Sequence, residues 1–375
     1  MIKKIFSVLI VFIVIAAGLF AYIKIYPLLK TPVEEKEPIV FKESSEKKDY
    51  FYDYQNLNKR QKEFYDQVYQ GFTSLDKQIS LSHAKVSDVN DVFTAVIDDH
   101  PEIFYVSLKY KYIEKENEIV LVPQYLFSRD EIKNYQDQIE KNLKKLISDA
   151  KKEQDAFKRI QLAYDYIIDH VQYQDYENDQ NIISALIDGK SVCAGYARSY
   201  QYILNQIGIE TAYITGTSSQ NQHGSGKRQG HAWLMIHIDD DYYYSDPTWG
   251  DVEEEGLQHH CMSYFMMSSD EMLSRYVPEH YEKTKYHRYI YFQTVGSYME
   301  TYERSIISQA VSNGIENESY VAEIKCKDDK VYQEVKKRIE KGNLVYTVLN
   351  EYQVYKNGIK YYCDDDLKVI ELYYR

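Results

Sequence analysis

Residues 231–246 constrain this chain more than any other stretch. His231-Ala232-Trp233-Leu234-Met235-Ile236-His237-Ile238 alternates, with His, Trp, Met and His on one parity and Ala, Leu, Ile and Ile on the other. Alternation of this kind reads as a strand. Tyr242-Tyr243-Tyr244-Ser245-Asp246 follows after an acidic turn. If Asp239 and Asp240 are the loop residues of a tight hairpin, 238 pairs with 241, 236 with 243 and 233 with 246. His231 and Asp246 then share a face as diagonal neighbours, about 7–8 Å apart at the backbone and within reach of each other through an imidazole and a carboxylate. A slip of one residue sends them to opposite faces. Asp-Asp is a poorer type I′ turn than Asn-Gly, so the turn alone does not fix the register.

Upstream, Ser191-Val192-Cys193-Ala194-Gly195-Tyr196-Ala197 opens a helical pattern. Ala197, Tyr200, Ile203, Leu204 and Ile207 recur at helical spacing, and Gly208 suits the position just past the end. Ser191 is the expected N-cap. Cys193 falls in the first turn, where free N–H groups and the positive end of the helix dipole favour a thiolate. Its own N–H would face a nascent oxyanion. Ala194 and Gly195 keep bulk low where a substrate carbonyl must approach. A thiol nucleophile needs a base, and the base needs a group that fixes its tautomer and orientation. Cys193, His231 and Asp246 supply those three types, the last two within Gly230-His231-Ala232-Trp233 and Asp246-Pro247-Thr248-Trp249. Each alone has a plainer reading: a buried thiol, a strand histidine, a cap ahead of Pro247. Together they form a candidate catalytic triad, with Trp233, Trp249 and Tyr196 as candidate cleft residues.

A length of 375 residues allows two or three domains, and an apolar fraction of 44% allows a substantial core. The net charge of −13 disfavours nucleic acid, which rewards Lys and Arg on the protein. Tyrosine is used 40 times, which suits half-wet strands and leaves a sugar- or wall-binding face open. Ile5 to Ile23 is an apolar run long enough to span hydrocarbon. We expect residues 1–30 to be a membrane anchor with the rest extracytoplasmic, or a secretory signal if Ala16-Ala17-Gly18 is a cleavage site. Residues 31–50 read as a polar tether.

The remaining organisation is a mixed helix and strand region over 51–150, a core over 151–290 and an α+β module over 291–375. In the first, helices are expected through Leu57–Phe72 and from Ser87 to His100, where Pro101 restricts the residue before it. Strands are expected at 103–106 and 119–122. Ser128-Arg129-Asp130-Glu131 is a capping box opening a long helix. In the C-terminal module a strand, a helix, a hairpin turning at Asn357-Gly358 and a final strand are expected. Cys326 and Cys363 fall on neighbouring expected strands and could bridge.

The constellation resembles the transglutaminase-like superfamily of cysteine enzymes. The resemblance rests on Gly189-Lys190-Ser191-Val192-Cys193-Ala194-Gly195-Tyr196-Ala197, Asn205-Gln206-Ile207-Gly208-Ile209-Glu210, Tyr213-Ile214-Thr215-Gly216, and the His231 and Asp246 motifs. The helix ending Asp169-His170-Val171-Gln172-Tyr173 looks like that family's lead-in helix. The matching stretch is about Ile160 to Asp251. His100-Pro101-Glu102-Ile103-Phe104-Tyr105 looks like what precedes the core in membrane-anchored or secreted bacterial members. The resemblance implies a papain-like α+β fold, with the Cys193 helix packed on an antiparallel sheet. It also implies acyl transfer: Cys193 attacks a carboxamide or peptide carbonyl, His231 moves the proton, and Asp246 orients His231. The acyl group passes to an amine or to water, on protein or cell-wall peptide substrates. A peptidase or amidase would use the same triad, and a non-catalytic wall-associated scaffold could keep the fold. The sequence departs from family patterns at the second oxyanion donor, since Ile187 stands where papain-like relatives often have Gln and no Trp precedes Cys193. Tyr173 and Gln172 are the candidates.

No cofactor is implied. No EF-hand loop is visible. His259-His260-Cys261 resembles metal ligands at first sight, but adjacent residues on a regular element point apart and no second pair has suitable spacing, so no metal is expected. Ser218 to Gln229 reads as a flap or a solvated connection. Asp239–Asp241 and Asp364–Asp366 read as exposed acidic turns.

Overall fold

The hairpin forms in the expected register. Gln229–Ile238 pairs antiparallel with Asp241–Ser245, placing Leu234 opposite Ser245 and Ile238 opposite Asp241. Asp239 and Asp240 adopt φ values of 50° and 60°, the left-handed backbone of a type I′ turn. Asp239 is held there from outside, by the Tyr289 hydroxyl at 2.6 Å and the Arg288 guanidinium at 3.1 Å. Asp241 departs from the expected exposed turn: it is 2% exposed. Its carboxylate accepts from the Lys285 and Tyr286 amides and the Tyr243 hydroxyl. It ties a distant segment to the hairpin.

The computed structural model describes residues 51–218, 228–254, 257–341, 344–354 and 359–374. The Ile5–Ile23 run, the 31–50 tether, most of the 218–229 connection and the Asn357-Gly358 turn lie outside them. Among the described residues no helix is long and apolar enough to cross a membrane.

Four antiparallel strands make the central sheet, in the order Tyr276–Pro278, Glu210–Ser218, Gln229–Ile238, Asp241–Ser245. Gly216 lies opposite His231 and Ile214 opposite Trp233. Both sheet faces are covered, so the polarity contrast of a one-sided sheet is lost. On one face sits the helix Cys193–Gln206, with the Arg198 guanidinium 3.9 Å from the centre of the Tyr213 ring. On the other, Ala212, Ile214, Trp233, Met235 and Tyr244 pack with Met267, Met272 and Tyr276. Full burial of each such large side chain is worth about 1.5–3 kcal/mol. This is the expected α+β arrangement of a helix on an antiparallel sheet.

Helices Lys59–Ser74, Val86–Asp99, Arg129–Lys152 and Ala156–His170 follow the apolar spacing. The Ser128 box forms, with Ser128 and Glu131 capping each other's amides. Residues 103–106 are not a strand. Pro101 starts a short 3₁₀ turn, and Ile103 to Val106 are all buried rather than alternating. Four apolar residues in a row do not distinguish a strand from a buried turn.

The C-terminal strands run Tyr298–Met299, Val321–Cys326, Val369–Tyr373, Lys360–Asp364 across their sheet. They enclose a separate apolar cluster around Ile324, Val335, Val348 and Ile370. Leu344–Glu351 is a further helix. Lys360–Asp364 and Val369–Tyr373 pair as antiparallel neighbours. Cys326 and Cys363 are free thiols, because Val369–Tyr373 lies between their strands.

Candidate active site

Cys193 begins its helix. The N-cap is Val192, which offers no side-chain acceptor, so no side chain caps the first turn. Ser191 is not the cap. Its hydroxyl is buried against Ser184 Oγ at 2.8 Å and the Asp179 carbonyl at 3.2 Å. Gly195 also has a packing reason. A Cβ there would lie 1.9 Å from Ser191 Oγ and 2.9 Å from the Asp179 carbonyl. Its smallness admits the 179–191 loop rather than a substrate.

His231 comes from the inner strand, and Asp246 follows the last residue of the neighbouring one. Asp246 is fully buried and divides its carboxylate between two tasks. Oδ1 accepts from the Thr248 amide at 3.0 Å and the Trp249 amide at 3.3 Å, capping the turn Pro247–Gly250. Oδ2 lies 2.6 Å from His231 Nε2 and accepts from the Tyr276 hydroxyl at 2.7 Å. The cap and the histidine partner are therefore one residue in two roles, not rival readings. With Nε2 committed, Nδ1 is the nitrogen left for the Cys193 sulfur, which favours the charged form of the ring.

Burial of the imidazole opposes its charge, but the Asp246 carboxylate and the Cys193 sulfur outweigh that and push its pKa up to about 10. The protonated ring is thus the favoured form through the neutral range. The other thiols differ in setting. Burial pushes Cys326 up to about 12 and Cys363 upward, which holds both as thiols.

The two oxyanion candidates separate. Gln172–Tyr173 is a two-residue strand running parallel to Lys190–Ser191, with Tyr173 opposite Ser191. Burial first, then the charge of Cys193, raises the Tyr173 phenol. Tyr173 thus pairs with the segment that leads into Cys193. Gln172 precedes it on the strand, and neighbouring strand residues face opposite sides. Of the three candidate cleft residues, only Trp249 is partly exposed, with its ring centre 5.6 Å from that of His231. Trp233 and Tyr196 are fully buried and are not cleft walls. Trp233 stacks beneath His231 at 6.0 Å. The Tyr196 hydroxyl lies 2.6 Å from the Val171 carbonyl and 2.7 Å from the Asp251 carboxylate.

Tyr276 is the residue that sequence reasoning missed. It is 1% exposed and its ring lies 5.9 Å from His231 and 4.7 Å from Trp233. One tyrosine among many, on a three-residue strand, carries no local signal. Only the edge pairing of Tyr276 with Ser218 brings it to Asp246.

The family model of the transglutaminase-like superfamily matches residues 143–247, a span holding Cys193, His231 and Asp246. Similar solved structures include a TGase, at 12% identity and a TM-score of 0.28, with 48% of this chain and 53% of that chain covered. The periplasmic domain of TgpA from Pseudomonas aeruginosa bound to ethylmercury is similar at 16% identity and a TM-score of 0.24, with 36% and 57% covered. A second structure of that domain is similar at 15% identity and a TM-score of 0.24, with 35% and 53% covered. The chain thus spans between half and three fifths of the length of these proteins. No curated protein sequence matches it. Over residues 143–247, this chain carries a domain of the transglutaminase-like superfamily.

Proposed function

We propose that the chain is a thiol acyl-transfer enzyme working through Cys193, His231 and Asp246. The observation that carries this reading is one ring: the His231 imidazole, its Nε2 2.6 Å from a fully buried carboxylate and its charged form favoured by a helix-start sulfur. A buried carboxylate that also caps a turn is held rigidly, so it fixes the ring. His231 already holds the Cys193 proton, and the Cys193 thiolate attacks the carbon of a carboxamide or peptide carbonyl. The carbonyl oxygen becomes an oxyanion facing the Cys193 N–H, with the Tyr173 hydroxyl as the second donor. His231 returns the proton to the leaving nitrogen, the C–N bond breaks, and a thioester remains. An amine, or water, then gives its proton to His231 and attacks the thioester. The sulfur leaves as thiolate, and the product is a new amide or an acid.

Substrates in this reading are proteins or cell-wall peptides. The catalytic part is extracytoplasmic and tethered by the N-terminal apolar run, a placement supported by the length of that run. The test is incubation of the full chain with a glutamine-containing peptide library, with and without a primary amine, read by mass. Amine adducts mark transfer, a one-dalton gain marks deamidation and shortened peptides mark a peptidase. No product, or the same products from Cys193→Ala, would refute acyl transfer and favour a scaffold that kept the fold.

A further inference from the structure

Beside the Pro247–Gly250 turn, whose Gly250 carbonyl accepts from the Cys261 amide at 2.9 Å, two distant parts of the chain bring soft and hard metal ligands together. His259 ends up inward on the strand Leu257–His260, and Cys261 follows two residues later. Glu371 comes from the strand Val369–Tyr373 of the C-terminal sheet. Cys261 Sγ lies 3.5 Å from Glu371 Oε1, and His259 Nε2 lies 3.7 Å from Glu371 Oε2. One ligand atom from each residue falls within 4.8 Å of the others. Tetrahedral zinc, with bonds of about 2.0–2.3 Å, needs its ligand atoms roughly 3.3–3.8 Å apart. The two spacings to Glu371, 3.5 and 3.7 Å, fall in that range, and all the ligand atoms lie within 4.8 Å of one another.

The surroundings point the same way. Glu323 stands directly opposite Glu371 in the antiparallel pairing of Val321–Cys326 with Val369–Tyr373. It is 8% exposed, and its Oε1 accepts from the Met262 amide at 2.9 Å. Two acidic side chains directly opposite, one of them buried, are unfavourable unless a proton or a cation sits between them. The Tyr373 hydroxyl donates to Glu371 Oε2 at 2.8 Å and lies 3.3 Å from His259 Nδ1, as an outer partner that orients ligands would. A cavity of about 390 Å³ reaches His259 and Glu323 and is lined by Asp165, Asp169 and Glu318 as well, which gives a cation a path in. His260 takes no part: its two nitrogens lie 2.9 Å from Asp165 and 2.8 Å from Asp169. The adjacent histidines do point apart, but His259 and Cys261 face the same partner.

We propose that His259, Cys261 and Glu371 bind a zinc-type divalent cation that clasps the C-terminal sheet to the core. Glu323 or a water takes the fourth position. Binding replaces the Cys261 S–H bond with a sulfur–metal bond and releases the proton to solvent, while His259 ligates through its neutral ring. The site is independent of the Cys193 reaction.

Co²⁺ serves as the probe, and the full chain carries Cys193→Ala so that the Cys193–His231 pair does not compete. The expected result is one Co²⁺ per chain with a thiolate-to-cobalt charge-transfer band. Glu371→Gln should weaken affinity about tenfold or more, and Cys261→Ser should abolish the band. Absence of stoichiometric Co²⁺, as for two carboxyls merely sharing a proton, would overturn the proposal. So would a band that survives Cys261→Ser. If Cys261→Ser does not fold, the Glu371→Gln arm decides: unchanged affinity there overturns the proposal by itself.

Discussion

Asp246 illustrates how one side chain couples catalysis to local folding. Its Oδ1 holds two amides of the turn Pro247–Gly250 and its Oδ2 holds His231 and Tyr276. Asp246→Asn keeps an amide oxygen for the cap, and Asn caps as well as Asp. It cannot accept from both His231 and Tyr276. We expect turnover to fall about 10²–10⁴-fold with little change in urea midpoint. Asp246→Ala should lose a further ~1 kcal/mol of stability from the missing cap. Tyr276 is a positioning residue. Tyr276→Phe removes a hydrogen bond to a charged group, worth about 1.5–3 kcal/mol, and should lower kcat some tenfold or more with KM unmoved. His231 gives a pH signature. Its pKa rises from 6.5 to about 10 on folding, so its contribution to stability is full below 6.5 and disappears as pH rises through 10. The Tm of the native chain should therefore drop relative to His231→Gln across that window. A gap that does not change with pH would remove the charged imidazole from the account.

At the scale of elements, local patterns were legible wherever both periodicity and punctuation were present. The helix from Cys193 to Gln206 and its Gly208 stop, the Ser128 box and the Asp239-Asp240 hairpin all belong to this class. Ile103–Val106 lacked alternation, and tertiary burial decided it. His231 and Asp246 could be joined from sequence because a two-residue turn links their strands. Tyr276 and Glu371 could not, since 30 residues separate Tyr276 from Asp246 and 110 separate Glu371 from Cys261, with no short turn between them. The start of the Cys193 helix offers a direct check on packing. Gly195→Ala drives a methyl into Ser191 Oγ and should cost about 1–3 kcal/mol by chemical denaturation. The Ser191→Gly partner should recover most of that loss. An Ala variant as stable as native would mean the loop does not rest on the helix as described.

Among the described residues, one apolar cluster lies under the central sheet and another in the C-terminal module. Arg275 is one of the joints: 3% exposed, it donates to the Tyr264 hydroxyl at 2.7 Å and pairs with Asp364. Removing the acid alone leaves a buried guanidinium without its counterion. Asp364→Leu should cost about 3 kcal/mol, the low end for breaking a buried pair. Arg275→Met with Asp364→Leu should restore much of that. Calorimetry of the single variant should still show one transition if the two clusters unfold together, and two if this joint is what couples them.

The central claim is that the Cys193 sulfur is activated by an oriented imidazole, and the most direct measurement is its alkylation rate against pH. Iodoacetamide modification mapped by mass separates Cys193 from the three other thiols. We expect a Cys193 rate well above a model thiol near neutral pH and flat over several pH units, falling to model-thiol behaviour in His231→Gln. A native rate that tracks a model thiol at every pH, unchanged in His231→Gln, would contradict it.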